Sequence, residues 1–170
     1  SRGAQNKSEK WYTYWGLGGA DPTYPSEVGS LLDLMGALPG VDRTRMSMDL
    51  LGFYMPISGK MLAGVVVNAT ADRLDYGDQD WMQVNLYTYA VSTQYYTRQV
   101  GQGLFGRLDI GIAAANISYD IEGDTEDETS DSGIGMLVGI GYAYPILSGT
   151  RIEFNLNYAM RTIEEEAYST

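Results

Sequence analysis

The stretch Arg151-Ile152-Glu153-Phe154-Asn155-Leu156-Asn157-Tyr158-Ala159-Met160-Arg161-Thr162-Ile163 decides the fold class. Side chains of a β-strand point alternately to its two faces. Read two residues at a time, Ile152, Phe154, Leu156, Tyr158 and Met160 share one face, and Arg151, Glu153, Asn155, Asn157 and Arg161 share the other. The segment before it repeats the pattern. Ile134, Met136, Val138, Ile140, Tyr142 and Tyr144 alternate with Gly135, Leu137, Gly139, Gly141 and Ala143. Two long neighbouring strands, apolar on one face and small or polar on the other, predict a hairpin of an antiparallel transmembrane β-barrel.

Outward from this hairpin, five more alternating segments appear: 10–20, 44–57, 61–75, 81–97 and 104–121. The inward rows assigned to them include Arg45, Asp49, Leu51 and Phe53 in the second, and Leu62 to Asp72 (even numbers) in the third. In the fourth they are Gln83, Asn85, Tyr87, Tyr89 and Val91, and in the fifth Phe105, Arg107, Asp109, Gly111, Ala113 and Ala115. Between the first two strands, Val28, Leu31, Leu32, Met35 and Leu38 recur at helical spacing, which predicts a short helix over 26–38 with Ser26 as its N-cap. Residues 1–9 read as a flexible polar lead, and 10–170 as one barrel domain.

The connections alternate in kind. Those at 58–60, 98–103 and 147–150 are short; those at 21–42, 76–80, 122–132 and from 164 onward are on average longer and acidic. Long loops on one side and tight turns on the other mark bacterial outer-membrane barrels, with the short turns expected in the periplasm. A soluble barrel with its apolar face inward is disfavoured. Its outer face would favour lysine, glutamate and threonine, whereas the polar rows here hold isolated charges among glycine and alanine.

Seven strands are an odd number, and bacterial barrels close with an even one. The expectation is an eighth strand that begins near Ala167–Thr170, after an acidic turn at Glu164-Glu165-Glu166, and is completed beyond Thr170 or by another chain. The start does not read as a signal peptide, so an exported protein would be in its mature form.

Trp11-Tyr12-Thr13-Tyr14-Trp15-Gly16-Leu17-Gly18, Leu50-Leu51-Gly52-Phe53-Tyr54 and Asn155-Leu156-Asn157-Tyr158-Ala159-Met160-Arg161 carry a resemblance to a group of small outer-membrane β-barrel proteins of Gram-negative bacteria. The resemblance implies an eight-stranded barrel of the OmpA or OmpX size class, with a glycine-rich last strand that ends in phenylalanine. It brings no catalytic residues.

Composition narrows the chemistry. A net charge of -11 and a pI near 4.2 exclude the basic stripe that nucleic acid requires. Without cysteine there is no disulfide framework, and without histidine no Ser-His-Asp set. Gly101-Gln102-Gly103 with Gly106 precedes a strand where a nucleotide-binding turn needs a helix, so that match fails.

The candidate site is a charge network inside the barrel: Arg45, Asp49, Arg107, Asp109, Glu153 and Arg161, expected to pair across the interior. The acidic loop residues Glu122, Asp124, Glu126, Asp127, Glu128 and Asp131 form a weak candidate site for a divalent cation, without EF-hand spacing. No cofactor is expected. The expected function is a non-enzymatic structural or interaction role in the bacterial outer membrane, in contact with lipid, lipopolysaccharide and a protein partner in an envelope complex. The alternatives are a narrow channel for small or hydrophobic solutes, lined by Phe53, Tyr87, Tyr89 and Val91, and a histidine-free lipid-modifying enzyme.

Overall fold

The computed structural model describes residues 11–77, 80–121, 124–147, 149–163 and 166–170. The expected N-terminal lead, Glu122 and the Glu164-Glu165 pair of the acidic turn lie outside the described residues. Among the described residues the chain is all-β with one helix, and its strands run up and down in one antiparallel sheet. The strands are β1 (Tyr12–Gly19), β2 (Asp42–Ser58), β3 (Met61–Asp75), β4 (Trp81–Tyr96), β5 (Gly103–Ile121), β6 (Asp124–Thr129), β7 (Gly133–Leu147), β8 (Thr150–Ile163) and β9 (Glu166–Ser169). The helix α1 (Ser26–Gly36) follows β1. Neighbours pair in the order β1-β2-β3-β4-β5-β7-β8-β9, with β6 folded back on the far end of β5. No helix among the described residues is long and apolar enough to cross a membrane, which says nothing about strands.

The seven long strands are those read from the sequence, and β9 lies where an eighth was expected to begin. The segment expected as an acidic loop holds a strand: β6 pairs Asp124 to Thr129 against Ile121 to Asn116. Its residues carry no apolar signal, so only the onward run of β5 supplies its template.

The sheet curls until its two ends face each other. Thr23 and Ser169 exchange backbone hydrogen bonds of 2.7 and 3.0 Å, and the Asn155 amide on β8 donates to the Tyr14 hydroxyl on β1 at 2.6 Å. The sheet does not close into a barrel. β9 pairs with β8 only from Ile163 to Met160, and Thr170 then exchanges backbone bonds with Ala159. Below that level, among the described residues, the edge of β8 and the edge of β1 have no neighbour and flank an open slot.

Face assignments follow the alternation in β3, β5, β7 and β8. Two strands depart from it. In β2 the pairing slips between Asp49, opposite Asn68, and Leu51, opposite Val67, so one extra residue is taken up at Leu50. Such a bulge reverses the parity of every later residue in the strand. Arg43, Asp49 and Tyr54 therefore all point inward, and Phe53 points out. In β4 the expected faces are inverted: Val84, Leu86, Thr88, Ala90, Ser92 and Gln94 are buried, whereas Tyr89, Val91 and Tyr95 are exposed. The apolar tunnel of Phe53, Tyr87, Tyr89 and Val91 does not exist, because these side chains lie on the convex face.

That convex face is apolar along rows of about ten residues. In β5 it runs Leu104, Leu108, Ile110 and Ile112, and in β8 Ile152, Phe154, Leu156 and Tyr158, with Leu156 77% exposed. Above these rows the outward positions turn polar, as at Arg73, Gln83, Asn116 and Thr162.

Candidate functional site

The inward side chains form three layers. At the end of the short turns, Tyr54, Leu62, Tyr96, Phe105 and Ala143 pack into one apolar cluster. The turns themselves are joined there: the Val100 amide donates to the Gly59 carbonyl at 2.9 Å. Gly101 and Gly103 take φ of 77° and 80° in the turn from Arg98, a backbone shape that glycine adopts without steric cost.

At the opposite end α1 closes the mouth. Leu32, only 1% exposed, packs with Leu74, Val84, Leu86, Ala113 and Ile163, and Val28 and Met35 pack against the same cluster. The helix begins one residue after Pro25, and Ser26 makes no side-chain cap, contrary to the capping role expected for it. Asp33 of the helix accepts from Arg43 at 2.7 Å, and Arg43 grips Asp72 with two bonds of 2.6 and 2.8 Å. The Tyr24 hydroxyl, in the loop before the helix, donates to Asp72 at 3.1 Å. Burial, then the Asp72 carboxylate, push that hydroxyl well above the ordinary phenol range, so it remains a neutral donor.

Between the apolar layers lies the charged one. Arg107 donates to both oxygens of Asp49 at 2.8 and 2.9 Å, to Asp109 at 2.7 Å and to the Asn68 carbonyl at 2.8 Å. Asp109, with no solvent exposure, also accepts from the Asn68 amide at 3.0 Å and from the Ser92 hydroxyl. One arginine faces two carboxylates, and neutral donors make up the difference. The Arg107 guanidinium also sits 5.4 Å from the Tyr14 ring centre. Lower down, Arg151 pairs with Glu153 at 2.5 Å, and the Tyr96 hydroxyl lies 2.7 Å from Glu153. A buried charge is costly unless paired and hydrogen-bonded, and each charge of this layer has an opposite partner, with Glu153 Oε2 left without a hydrogen bond among the described residues.

The six residues of the expected network thus separate. Asp49, Arg107 and Asp109 come together, and Arg107 reaches Asp49 across the interior from β5 to β2. Glu153 pairs with its own-strand neighbour Arg151. Arg45 leaves the network: half exposed, it reaches Asp21 of the loop at 2.7 Å. Arg161, 2% exposed, donates to hydroxyls rather than carboxylates, to Thr88 at 2.9 Å and to Thr70 and Thr170 at 3.4 and 3.5 Å. Reading the charges alone missed Arg43 and Asp72. Asp72 shares the parity of Asn68 and Thr70, and Arg43 shares that of Arg45, so alternation carried their signal.

Asp124, Glu126 and Glu128 alternate with Asp127 along β6, whose two faces divide them, and Asp131 lies beyond the strand. Glu126 accepts from Tyr119. No group of three or more acidic side chains gathers to hold a metal ion among the described residues.

No protein-family model matches this sequence, and no curated protein matches it significantly.

Proposed function

We propose that this chain is an integral outer-membrane protein of a Gram-negative cell envelope, with a non-enzymatic structural or interaction role. In this reading the sheet is an eight-stranded barrel around a filled interior, with lipid and lipopolysaccharide around its convex face. The single observation that carries the reading is the reversal of faces: apolar rows outward, charges and amides inward. Soluble monomers rarely expose apolar patches larger than a few hundred square ångströms. Rows of about ten residues fit the length of tilted strands across a hydrocarbon core. Tyr95, Tyr142 and Tyr144, all exposed toward the short-turn end, suit an interfacial girdle.

The two apolar clusters and the layer between them favour a filled barrel over the channel reading. Full-length protein in a planar bilayer is expected to give no large steady conductance, and such a conductance would overturn the filled-barrel reading. The lipid-facing assignment has a separate test. Ile110 is 53% exposed in the middle of its row, and Ile110→Arg should destabilise the protein in lipid vesicles by about 2–4 kcal/mol, as for a cation near the midplane. A neutral effect in urea titration would remove the hydrocarbon from around β5.

A further inference from the structure

At the mouth, β4 and β5 run on past the residues that pack on α1, and β6 folds back on β5 there. Directly opposed residues of an antiparallel pair share a face of the sheet. Ile117, Tyr119 and Ile121 alternate onto the same face as Ala113 and Ala115, which is the inward one. On β4 their face continues through Val84, opposite Ile117, and Met82, opposite Tyr119. On the other side, β6 sets Glu128 opposite Ile117, Glu126 opposite Tyr119 and Asp124 opposite Ile121. This end of the sheet therefore carries an apolar strip two strands wide and, beside it on the same face, a row of three carboxylates.

The chain leaves the strip uncovered. Met35 of α1, Tyr76, Met82, Ile117, Tyr119 and Ile121 line an open cavity of about 490 Å³. That volume is ordinary for a small-molecule site, where about 300–1,000 Å³ is usual. The neighbouring carboxylates are exposed, and among the described residues no lysine or arginine pairs with Asp124, Glu126 or Glu128. Their backbone positions lie about 6.8 Å apart along the strand, too far for one metal ion but suited to ammonium groups. An apolar wall beside uncompensated negative charge repels anions and gives a neutral molecule no benefit from the carboxylates. It favours an apolar body that carries a cation, and the rings of Tyr76 and Tyr119 can add an attractive face for that cation.

We propose that this face is a binding site for a small lipophilic amine, with its apolar body in the cavity and its ammonium against the β6 carboxylates. The site does not depend on the membrane reading, because it stands above the apolar rows of the convex face and is built from α1, β4, β5 and β6 alone.

The test uses phenylbutylamine as the probe and phenylbutanol, of nearly the same shape and without charge, as the control. Protein in a neutral detergent carries methionines labelled with carbon-13 at the methyl group, and equilibrium dialysis gives the free probe concentration. The amine should shift the Met35 and Met82 methyl resonances saturably at low salt, and the alcohol should need about tenfold more for the same shift. Raising the salt to about 0.5 M should erode that preference. In Asp124→Asn/Glu126→Gln/Glu128→Gln, whose altered side chains are all exposed, the amine should bind no better than the alcohol. Equal binding of the two probes to the unaltered protein would overturn the proposal. So would a preference that survives in the triple variant, or shifts spread over all the methionines, which would report the probe entering the detergent. Vesicle flotation reads the outer-membrane proposal separately: a protein that floats and shows no amine preference sinks only this inference, and one that shows the preference without floating sinks only the membrane reading.

Discussion

Replacing Arg107 with methionine is expected to destabilise the protein by about 3–5 kcal/mol, the cost of leaving buried charges without their partner. Arg107 is the only cation bonded to Asp49 and Asp109 among the described residues, and it supplies bonds to three side chains at once. Without it two carboxylates remain between the apolar layers above and below. The physical content is tested by a second variant. Arg107→Met/Asp49→Asn/Asp109→Asn removes both negative charges and keeps amides that Asn68 and Ser92 can still bond, so it should recover most of the loss. Urea titration in lipid or detergent measures both. If the single variant were neutral, or the triple variant no better than the single, the charged layer would not contribute as an ion-paired unit.

The second large effect belongs to the helix at the mouth. Leu32→Ala should cost about 2–5 kcal/mol, because the side chain is fully enclosed by residues from β3, β4, β5 and β8 and a rigid wall collapses poorly around a void. Leu34, two residues on and 67% exposed, provides the control: Leu34→Ala should stay within about 0.5 kcal/mol. Hydrogen exchange should show where the Leu32 loss falls. Faster exchange is expected in α1 and at the upper ends of β3 and β4, and unchanged exchange near Tyr54 and Phe105. Equal sensitivity of the two leucines would mean that the helix lies on the rim and not in the mouth.

These two sites differ in how far the sequence announced them. β5 could be read directly, because Arg107 and Asp109 alternate with leucine and isoleucine over a long run. β8 was legible for the same reason. β4 was not. Its upper inward positions, Met82, Val84 and Leu86, are apolar because α1 packs on them, and its outward positions include Gln83 and Asn85, above the apolar belt. Polarity there reports the helix and the height along the strand, not the face, and no local pattern contains either. In β2 the alternation was real on both sides of Leu50, but a bulge exists only as a relation between two strands. Arg43 and Asp72 were hidden for a related reason: each lies near a strand end, where charge is ordinarily a sign of solvent.

The bulge at Leu50 also sets where this sheet can change length. Throughout a regular strand, gaining or losing one residue turns every later side chain to the opposite face. At Leu50 the surplus residue is already present, and Asp49 and Gly52 face inward on either side of it. Removing that residue would restore plain alternation with Asp49 and Tyr54 still inward. At Leu50, β2 therefore has a mid-strand position at which a codon can be lost without inverting the strand, whereas the slips at Pro56/Ser58 and Pro145/Leu147 lie beside the turns, where few later residues depend on them.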